Sequence, residues 1–358
     1  MDYNLLSRLP NALLPWYDAS HRELPWRGDK DPYHIWVSEI MLQQTRVEAV
    51  KGYYARFLQA LPTVADLAEC EDDVLYKLWE GLGYYNRVRN MKKAARQIMD
   101  KHNGIFPDTY EQILALPGIG AYTAGAICSI AFNRPTPAVD GNVLRVISRI
   151  TDDHTPIDQP TYKNTVQQSL AEIYPDRAGD FTQALMELGA TVCGPNRQPD
   201  CENCPCKAFC LGFARRTAVN LPVKLPKRER KTEEKTVFIL SCDGKYAIQK
   251  RPEQGLLAGL WQFPNVPGKL NTQAFLKQVE RFGLKPKEIK LKVERKHIFT
   301  HIEWDMCGVY IETAECGGDF AWLTSEEIDR QIALPTAFRQ FWEEISTGKK
   351  LKKYENNV

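Results

Sequence analysis

The sequence predicts a multidomain protein, an all-α N-terminal half that ends in a cysteine-rich loop, followed by a smaller α+β domain. Three observations carry this. Up to about residue 216, apolar residues recur at three- and four-residue spacing, as in Val47, Val50, Tyr54, Phe57, Leu58 and Leu61, or Val74, Leu75, Leu78 and Trp79. Five of the ten cysteines (Cys193, Cys201, Cys204, Cys206 and Cys210) crowd into one short stretch. Beyond a proline- and charge-rich segment, short β-type runs replace the helical period.

A chain of 358 residues with 43% apolar side chains has room for two domains, each with its own core. The formal net charge of +2 gives no bulk support for a polyanionic partner, so nucleic acid must be argued from motifs. Pro10 and Pro15 precede any long apolar run, which excludes an ordinary signal peptide, and no later stretch is long and apolar enough to span a bilayer. A cytosolic protein with no membrane association is expected, and in that compartment cysteine crowding points to metal rather than disulfides.

In chain order, the helical part covers 1–220, with its cysteine loop at 193–210. Asn103-Gly104 closes one helix, Asp108 or Thr109 caps the next, and Leu116-Pro117-Gly118-Ile119-Gly120 breaks the pattern before a small-residue helix from Tyr122 to Phe132. Residues 221–235, with Pro222, Pro226 and the charge run Lys227 to Lys235, read as a linker. The α+β domain covers 236–348. It opens with a hairpin in which Thr236 to Leu240 and Lys245 to Gln249 flank Asp243-Gly244. Further strands fall near Lys290 to Arg295 and Met306 to Glu312, and helices near Ser325 to Ile332 and Thr336 to Ile345; 349–358 is a tail.

Four elements carry chemistry. The Gly-rich turn between two helices offers free amides and a helix N-terminus to a DNA phosphate, with Gly118 and Gly120 expected to take left-handed angles. Asp140, in Pro137-Ala138-Val139-Asp140-Gly141-Asn142, precedes an amphipathic helix and is either its N-cap or a functional carboxylate. Glu39 lies among Trp36, Ile40, Met41 and Leu42; an apolar pocket would raise its pKa and suit it to general-acid work. One protonated acid and one ionised carboxylate are what cleavage of an N-glycosidic bond asks for, by analogy with glycoside hydrolysis. The fourth element is Cys193, Cys201, Cys204 and Cys210 in a single loop, a metal signal whose spacing alone does not decide between iron–sulfur and zinc.

In this order, these elements resemble the helix-hairpin-helix DNA glycosylases, and among them the adenine-excising, A/G-specific branch. The resemblance runs over nearly the whole chain. Its marks are Leu24-Pro25-Trp26-Arg27, Glu39 with Leu42-Gln43-Gln44-Thr45, Gly81-Leu82-Gly83-Tyr84-Tyr85, the hairpin, Val139-Asp140-Gly141-Asn142 and the cysteine loop. It implies a glycosylase domain, a 4Fe–4S cluster on Cys193, Cys201, Cys204 and Cys210, and a Nudix-like domain that reads 8-oxoguanine. It also implies a monomer acting on double-stranded DNA that holds A:8-oxoguanine or A:G mispairs.

Carried over, Glu39 protonates adenine, Asp140 stabilises the cationic sugar, and Tyr122 and Asn142 support the site. Gln44 and Tyr84 wedge into the duplex with Leu82 nearby, while Trp26, Arg27, Leu42 and Val47 line the adenine pocket. Phe299, Thr300 and His301 match a lesion-recognition loop, with Thr300 in place of the family's serine. The first cysteine gap is one residue longer than the family pattern, and Cys206 offers a further thiol. Endonuclease III is a relative that cuts the strand with a lysine nucleophile; the matching position here is Tyr122, which cannot form a Schiff base. The Nudix-like domain keeps Gly259-Leu260-Trp261-Gln262-Phe263-Pro264, but the stretch Leu276 to Leu284 has the single acid Glu280, too few for magnesium-dependent hydrolysis. That domain is expected to recognise and not to hydrolyse. A DNA-binding module without catalysis and a structural zinc protein are the readings from other classes.

Overall fold

The computed structural model describes residues 1–195, 198–226 and 229–346. Two compact units emerge, Met1–Glu69 with Arg89–Lys227, and Cys70–Val88 with Arg228–Val358. The expected tail at 349–358 and the linker residues Lys227 and Arg228 lie outside the described residues.

Helices α1 (Tyr3–Leu6), α2 (Leu9–Ser20), α3 (Pro32–Leu42), α4 (Val47–Ala60) and α5 (Val64–Glu69) open the chain, and α6 (Asp72–Trp79) follows in the second unit. Then come α7 (Asn86–His102), α8 (Tyr110–Leu114), α9 (Ala121–Ile130), α10 (Gly141–Thr151), α11 (Pro160–Ala171), α12 (Ala178–Thr191) and α13 (Leu211–Ala214). Leu6, Leu9 and Leu13 pack with Val143, Val146, Ile147 and Ile150 of α10 and with Phe181, Leu185 and Leu188 of α12. Each such side chain removed from water contributes about 1.5–3 kcal/mol.

Local chemistry sets the ends of the helices that matter. The Asp31 carboxylate accepts the Tyr33 N–H at 2.8 Å and Pro32 occupies the first turn of α3, whose residues from Ile35 to Met41 are all buried. A helix apolar nearly all round belongs inside, so α3 carries Glu39 into the unit's interior. Asn103 (φ 53°) and Gly104 (φ 74°) stop α7, and Thr109 caps α8 by accepting the Gln112 N–H. On α9 the small residues answer a close approach, since a Cβ on Gly125 would stand 2.2 Å from the Pro137 carbonyl oxygen. The strand-like segment leading to Asp140 can therefore lie directly on α9.

In the second unit, β1 (Lys231–Cys242), β2 (Lys245–Lys250), β3 (Trp261–Gln262), β4 (Asn265–Pro267), β5 (Pro286–Ile298), β6 (Ile302–Thr313) and β7 (Ala321–Thr324) form one mixed sheet. Its order is β3-β2-β1-β6-β5, with β4 paired to β1 and β7 to β2. β1 and β6 run parallel over Lys231–Ser241 and Ile302–Glu312. Asp243 (φ 46°) and Gly244 (φ 75°) make the two-residue turn of the expected hairpin. Val237 and Ile239 pack with α15 (Ser325–Gln331) and α16 (Thr336–Ser346), whereas Phe238 and Leu240 pack with α14 (Thr272–Arg281). Alternation thus buries both faces of β1.

The linker expected over 221–235 is corrected at both ends. Ile157 N–H donates to the Val223 carbonyl at 3.1 Å and Leu225 N–H to Asp158 at 3.0 Å, so its start is tied to the first unit. Its last residues, Lys231 to Lys235, already belong to β1. Charged side chains hid this strand because they are locally satisfied: Glu233 accepts the Trp304 indole N–H at 3.1 Å, and the Lys235 ammonium lies 4.7 Å over the Trp304 ring.

Residues 70–88 are held within the second unit. The Glu80 carboxylate accepts the Leu334 N–H and the Arg339 Nε, each at 3.0 Å, and Lys77 donates to the Ile332 carbonyl at 3.0 Å. Asp73 accepts from Lys250 at 2.9 Å and from the Trp261 indole at 3.1 Å. Among the described residues, no helix is long and apolar enough to cross a membrane.

Candidate active site

The first unit contains a cavity of about 650 Å³ whose wall includes Glu39, Tyr122, Asp140 and Asn142. α3 supplies Glu39, the start of α9 supplies Tyr122, and the N-terminus of α10 supplies the other two. Trp26, Arg27, Leu42, Gln44, Val47 and Gly120 line the same space. Trp26 is buried and makes a T-shaped contact with the Tyr54 ring at 5.5 Å while also lining the cavity, so it both packs and lines.

Glu39 is 5% exposed, and the Tyr122 hydroxyl donates to its Oε2 at 2.5 Å. Burial pushes the Glu39 carboxyl up to about 7; the Tyr122 hydrogen bond opposes that rise and the nearby negative charge of Asp140 adds to it. Burial, together with both carboxylates, pushes the Tyr122 phenol well above its ordinary value, so it stays a donor. Asp140 is the N-cap of α10 and also lines the cavity. Its Oδ1 accepts the Val143 N–H at 2.8 Å, which caps α10, and its Oδ2 accepts the Asn142 amide at 2.7 Å. The carboxylate is thereby fixed in orientation on the cavity wall.

Sequence reasoning passed over Glu187. The residue is 1% exposed, and its carboxylate accepts from Arg22 Nε at 2.7 Å and Arg27 Nη2 at 2.6 Å beside the same cavity. Desolvation would raise its pKa, but the hydrogen bonds from Arg22 and Arg27 prevail and bring it to about 2. The signal was present: Glu187 sits among Ala184, Leu185 and Leu188 as Glu39 sits among Trp36, Ile40 and Met41. Gln43, within the Leu42-Gln43-Gln44-Thr45 run, also lines the cavity, as do Arg22, Lys163, Gln183 and Met186, with nothing in the local sequence of these four to mark them.

Gly118 takes the left-handed angle expected of it, and Gly120 does not. Gly118 is left-handed (φ 77°), and a Cβ there would stand 2.5 Å from Asn90 Cβ. Gly120 has extended backbone (φ −99°, ψ 175°) that any residue adopts, with nothing within 4 Å of a Cβ. Its missing side chain instead leaves the first turn of α9 open toward the cavity.

Gln44 and Tyr84 share a property. Both are exposed non-glycine residues at positive φ, 59° and 49°. Tyr84 belongs to the second unit, as does the buried Leu82. Its loop is braced by the Trp79 indole, which donates to the Gly83 carbonyl at 3.0 Å, and by the Arg87 guanidinium, which lies 5.5 Å from the Tyr84 ring. In the same unit, Phe299, Thr300 and His301 form the β5–β6 turn. Phe299 packs edge-on to Trp304 at 4.8 Å, while Thr300 and His301 are exposed.

Cys193, Cys201, Cys204 and Cys210 line one small apolar pocket with Val146, Arg149 and Leu188. Cys206 is absent from its wall and fully buried in the α2–α10–α12 core. Arg149 donates to the Cys193 Sγ at 3.3 Å, and Arg145 joins the Cys193 carbonyl (3.0 Å) to the Asn142 side chain (3.0 Å). α10 therefore runs from the cysteine loop at one end to Asp140 at the other.

Residues 37–174 match the HhH-GPD superfamily of base excision DNA repair proteins, and residues 236–344 match the NUDIX domain. The chain is similar to the adenine DNA glycosylase of Arabidopsis thaliana, with 37% identity over 86% of this chain and 57% of that protein. It thus spans a little over half of that relative. To the adenine DNA glycosylase of Homo sapiens it is 34% identical, over 92% of this chain and 72% of that one. Among solved structures it is similar to a thermostable thymine-DNA glycosylase (TM-score 0.53, 28% identity, 60% of this chain and 100% of that one). A non-covalent endonuclease III–DNA complex shares the fold (TM-score 0.52, 23% identity, 60% and 98% covered). At 34% identity over 72% of the human relative, and with both domains matched, the chain belongs to the adenine DNA glycosylase family.

Proposed function

We propose that this protein is a monofunctional DNA glycosylase of base excision repair that hydrolyses the N-glycosidic bond of adenine mispaired with 8-oxoguanine or guanine. The observation that carries the reading is Glu39: a buried carboxyl with a pKa near 7, hydrogen-bonded by Tyr122, in a cavity that also holds Asp140. Near neutral pH such a group is a proton donor, while Asp140, fixed by two hydrogen bonds, supplies negative charge.

The target nucleotide leaves the stack at a cost of a few kcal/mol and enters the cavity. Glu39 passes its proton to N7 of adenine, the C1′–N9 bond breaks, and the electron pair leaves with the base. Asp140 opposes the positive charge left on the sugar until water adds to C1′ and gives up a proton. Asn142 and Tyr122 position the two carboxyls. Gln44 and Tyr84 fill the gap in the duplex; their exposed left-handed backbones, each costing about 1–3 kcal/mol, fit such a role. Phe299, Thr300 and His301 read the opposite 8-oxoguanine.

Cys193, Cys201, Cys204 and Cys210 would hold a 4Fe–4S cluster. The fit is chemical, since four soft thiols face one pocket. Among the described residues, no three sulfurs of this loop lie within 4.8 Å of one another. One zinc ion with Zn–S bonds of about 2.3 Å would draw its sulfurs to roughly 3.8 Å. When bound, the cluster would supply structural cross-linking of the loop that abuts α10.

The test is excision by the purified protein from matched duplexes carrying adenine opposite 8-oxoguanine or guanine, uracil, or thymine glycol. Adenine release without strand cleavage, and no borohydride-trapped adduct, is expected. Trapping or preferred release of an oxidised pyrimidine would reject the reading.

A further inference from the structure

We propose that Cys242, Asp243 and Cys316 form a binding site for a thiophilic divalent cation of the zinc class, separate from the four-cysteine loop. The two thiol sulfurs and a carboxylate oxygen of Asp243 all lie within 4.8 Å of one another, as three ligands of one ion must. They come from two segments distant in sequence: Cys242 ends β1, Asp243 is the first residue of the hairpin turn, and Cys316 lies in the loop between β6 and β7.

Both segments are anchored. Thr313 donates to the Ser241 carbonyl at 3.2 Å, Ala314 N–H to the Lys285 carbonyl at 2.9 Å, and the Trp322 indole to the Gly317 carbonyl at 2.9 Å. Cys316 Sγ reaches the Cys242 carbonyl at 3.6 Å, which aims it at the turn. The backbone at Asp243 is held at φ 46° by the two-residue hairpin, which points its side chain back to the same spot. Little ordering is left for an ion to impose.

Ligand type selects the ion. Two thiolates and one carboxylate suit zinc or cadmium, while the hard, oxygen-seeking magnesium ion that a Nudix hydrolase uses finds one oxygen ligand here. Cys242 is buried, whereas Asp243 and Cys316 are exposed. The ion would therefore have three protein ligands and a fourth position open to water or to a ligand from a partner. Binding sends the two thiol protons to the buffer and ties the β1–β2 turn to the β6–β7 loop.

The experiment is peptide-resolved alkylation of the full-length, iron-loaded protein with and without added zinc ion. Reporting on Cys316 alone separates this site from the four-cysteine loop. One equivalent of zinc should slow Cys316 alkylation by about tenfold or more, magnesium should not, and Cys242→Ser should abolish the protection. Asp243→Asn, which still tolerates the left-handed turn, should weaken it without a change in folding. The proposal falls if zinc leaves Cys316 alkylation unchanged. It falls equally if Cys242 and Cys316 are recovered as a disulfide that reductant opens without restoring zinc protection.

Discussion

The carboxyl of Glu39 gives the sharpest test, because three residues set its proton affinity in known directions. Burial raises it, the 2.5 Å bond from Tyr122 lowers it and the charge of Asp140 raises it, with the balance near 7. If Glu39 is the general acid, adenine release at sub-saturating DNA should fall as pH rises through about 7. Removing the Tyr122 donor forfeits a hydrogen bond to a charged group worth about 1.5–3 kcal/mol, so Tyr122→Phe should move that limb upward by roughly one to two pH units. Asp140→Asn should move it downward. Asparagine is as good an N-cap as aspartate, so α10 survives and lost rate reports lost charge. Glu39→Gln should flatten the profile and cost about 10²- to 10⁴-fold in rate. A stability signature accompanies the kinetics. Between the ordinary value of 4.5 and about 7 the folded state binds the extra proton, so stability falls as pH rises through that window. Glu39→Gln should remove this fall and gain up to about 3 kcal/mol above pH 7 by denaturant titration. A limb near pH 4.5 in the parent, or shifts of the same sign in both variants, would refute the assignment.

Four further outcomes follow from the same geometry. Arg27→Leu leaves the buried Glu187 carboxylate half-compensated and should cost about 3–5 kcal/mol by urea denaturation. That penalty should hold above pH 4.5, where Glu187 is ionised in both states, and shrink toward about pH 2 as the folded-state group protonates. Gly118→Ala meets Asn90 and a left-handed backbone and should lose about 1–3 kcal/mol, whereas Gly120→Ala should stay within about 0.5 kcal/mol yet slow excision by narrowing the cavity. Native protein should carry about four irons per chain; Cys204→Ser should lose them and Cys206→Ser should retain them, and the reverse pattern would exchange the two assignments. Thr300→Ala should reduce the preference for 8-oxoguanine over guanine opposite adenine by up to about tenfold, read from excision on the two duplexes.

Legibility in the sequence followed the physics of each element. The helix ends were visible where a capping or left-handed residue marked them, as at Asn103-Gly104 and Thr109. Glu39 was visible because an acid within an apolar helical run is costly and needs a reason. Glu187 met the same condition and was missed, since its partners Arg22 and Arg27 stand some 160 residues away in sequence and only folding joins them. The first turn of β1 was misread as linker because composition registers charge, not whether Glu233 and Lys235 find Trp304 across the sheet. Gly120 was assigned left-handed on motif alone; its use is the absence of a side chain beside a cavity, which no local pattern encodes.

The grouping of residues 70–88 with the second unit changes how recognition and catalysis divide. Periodicity places α6 in the helical half, with Asp73 in its first turn and Glu80 just past its end. Both are acceptors for groups contributed by the C-terminal half. Glu80 takes the Leu334 N–H and the Arg339 guanidinium, and Asp73 takes Lys250 and the Trp261 indole. The Glu80 carboxylate is 17% exposed and the Arg339 side chain 25%, so this pair is partly desolvated and bound through more than one donor, unlike a surface ion pair worth about 0–1 kcal/mol. The loop that presents Tyr84 begins at Glu80 and is stiffened by Trp79 and Arg87 within the same unit. On the proposed reading, Tyr84 and the Phe299-Thr300-His301 turn ride on one body, while Gln44, Glu39, Tyr122 and Asp140 ride on the other. Tyr84 is then held by the unit that carries the proposed lesion-reading turn, and Gln44 by the unit that carries the carboxylates.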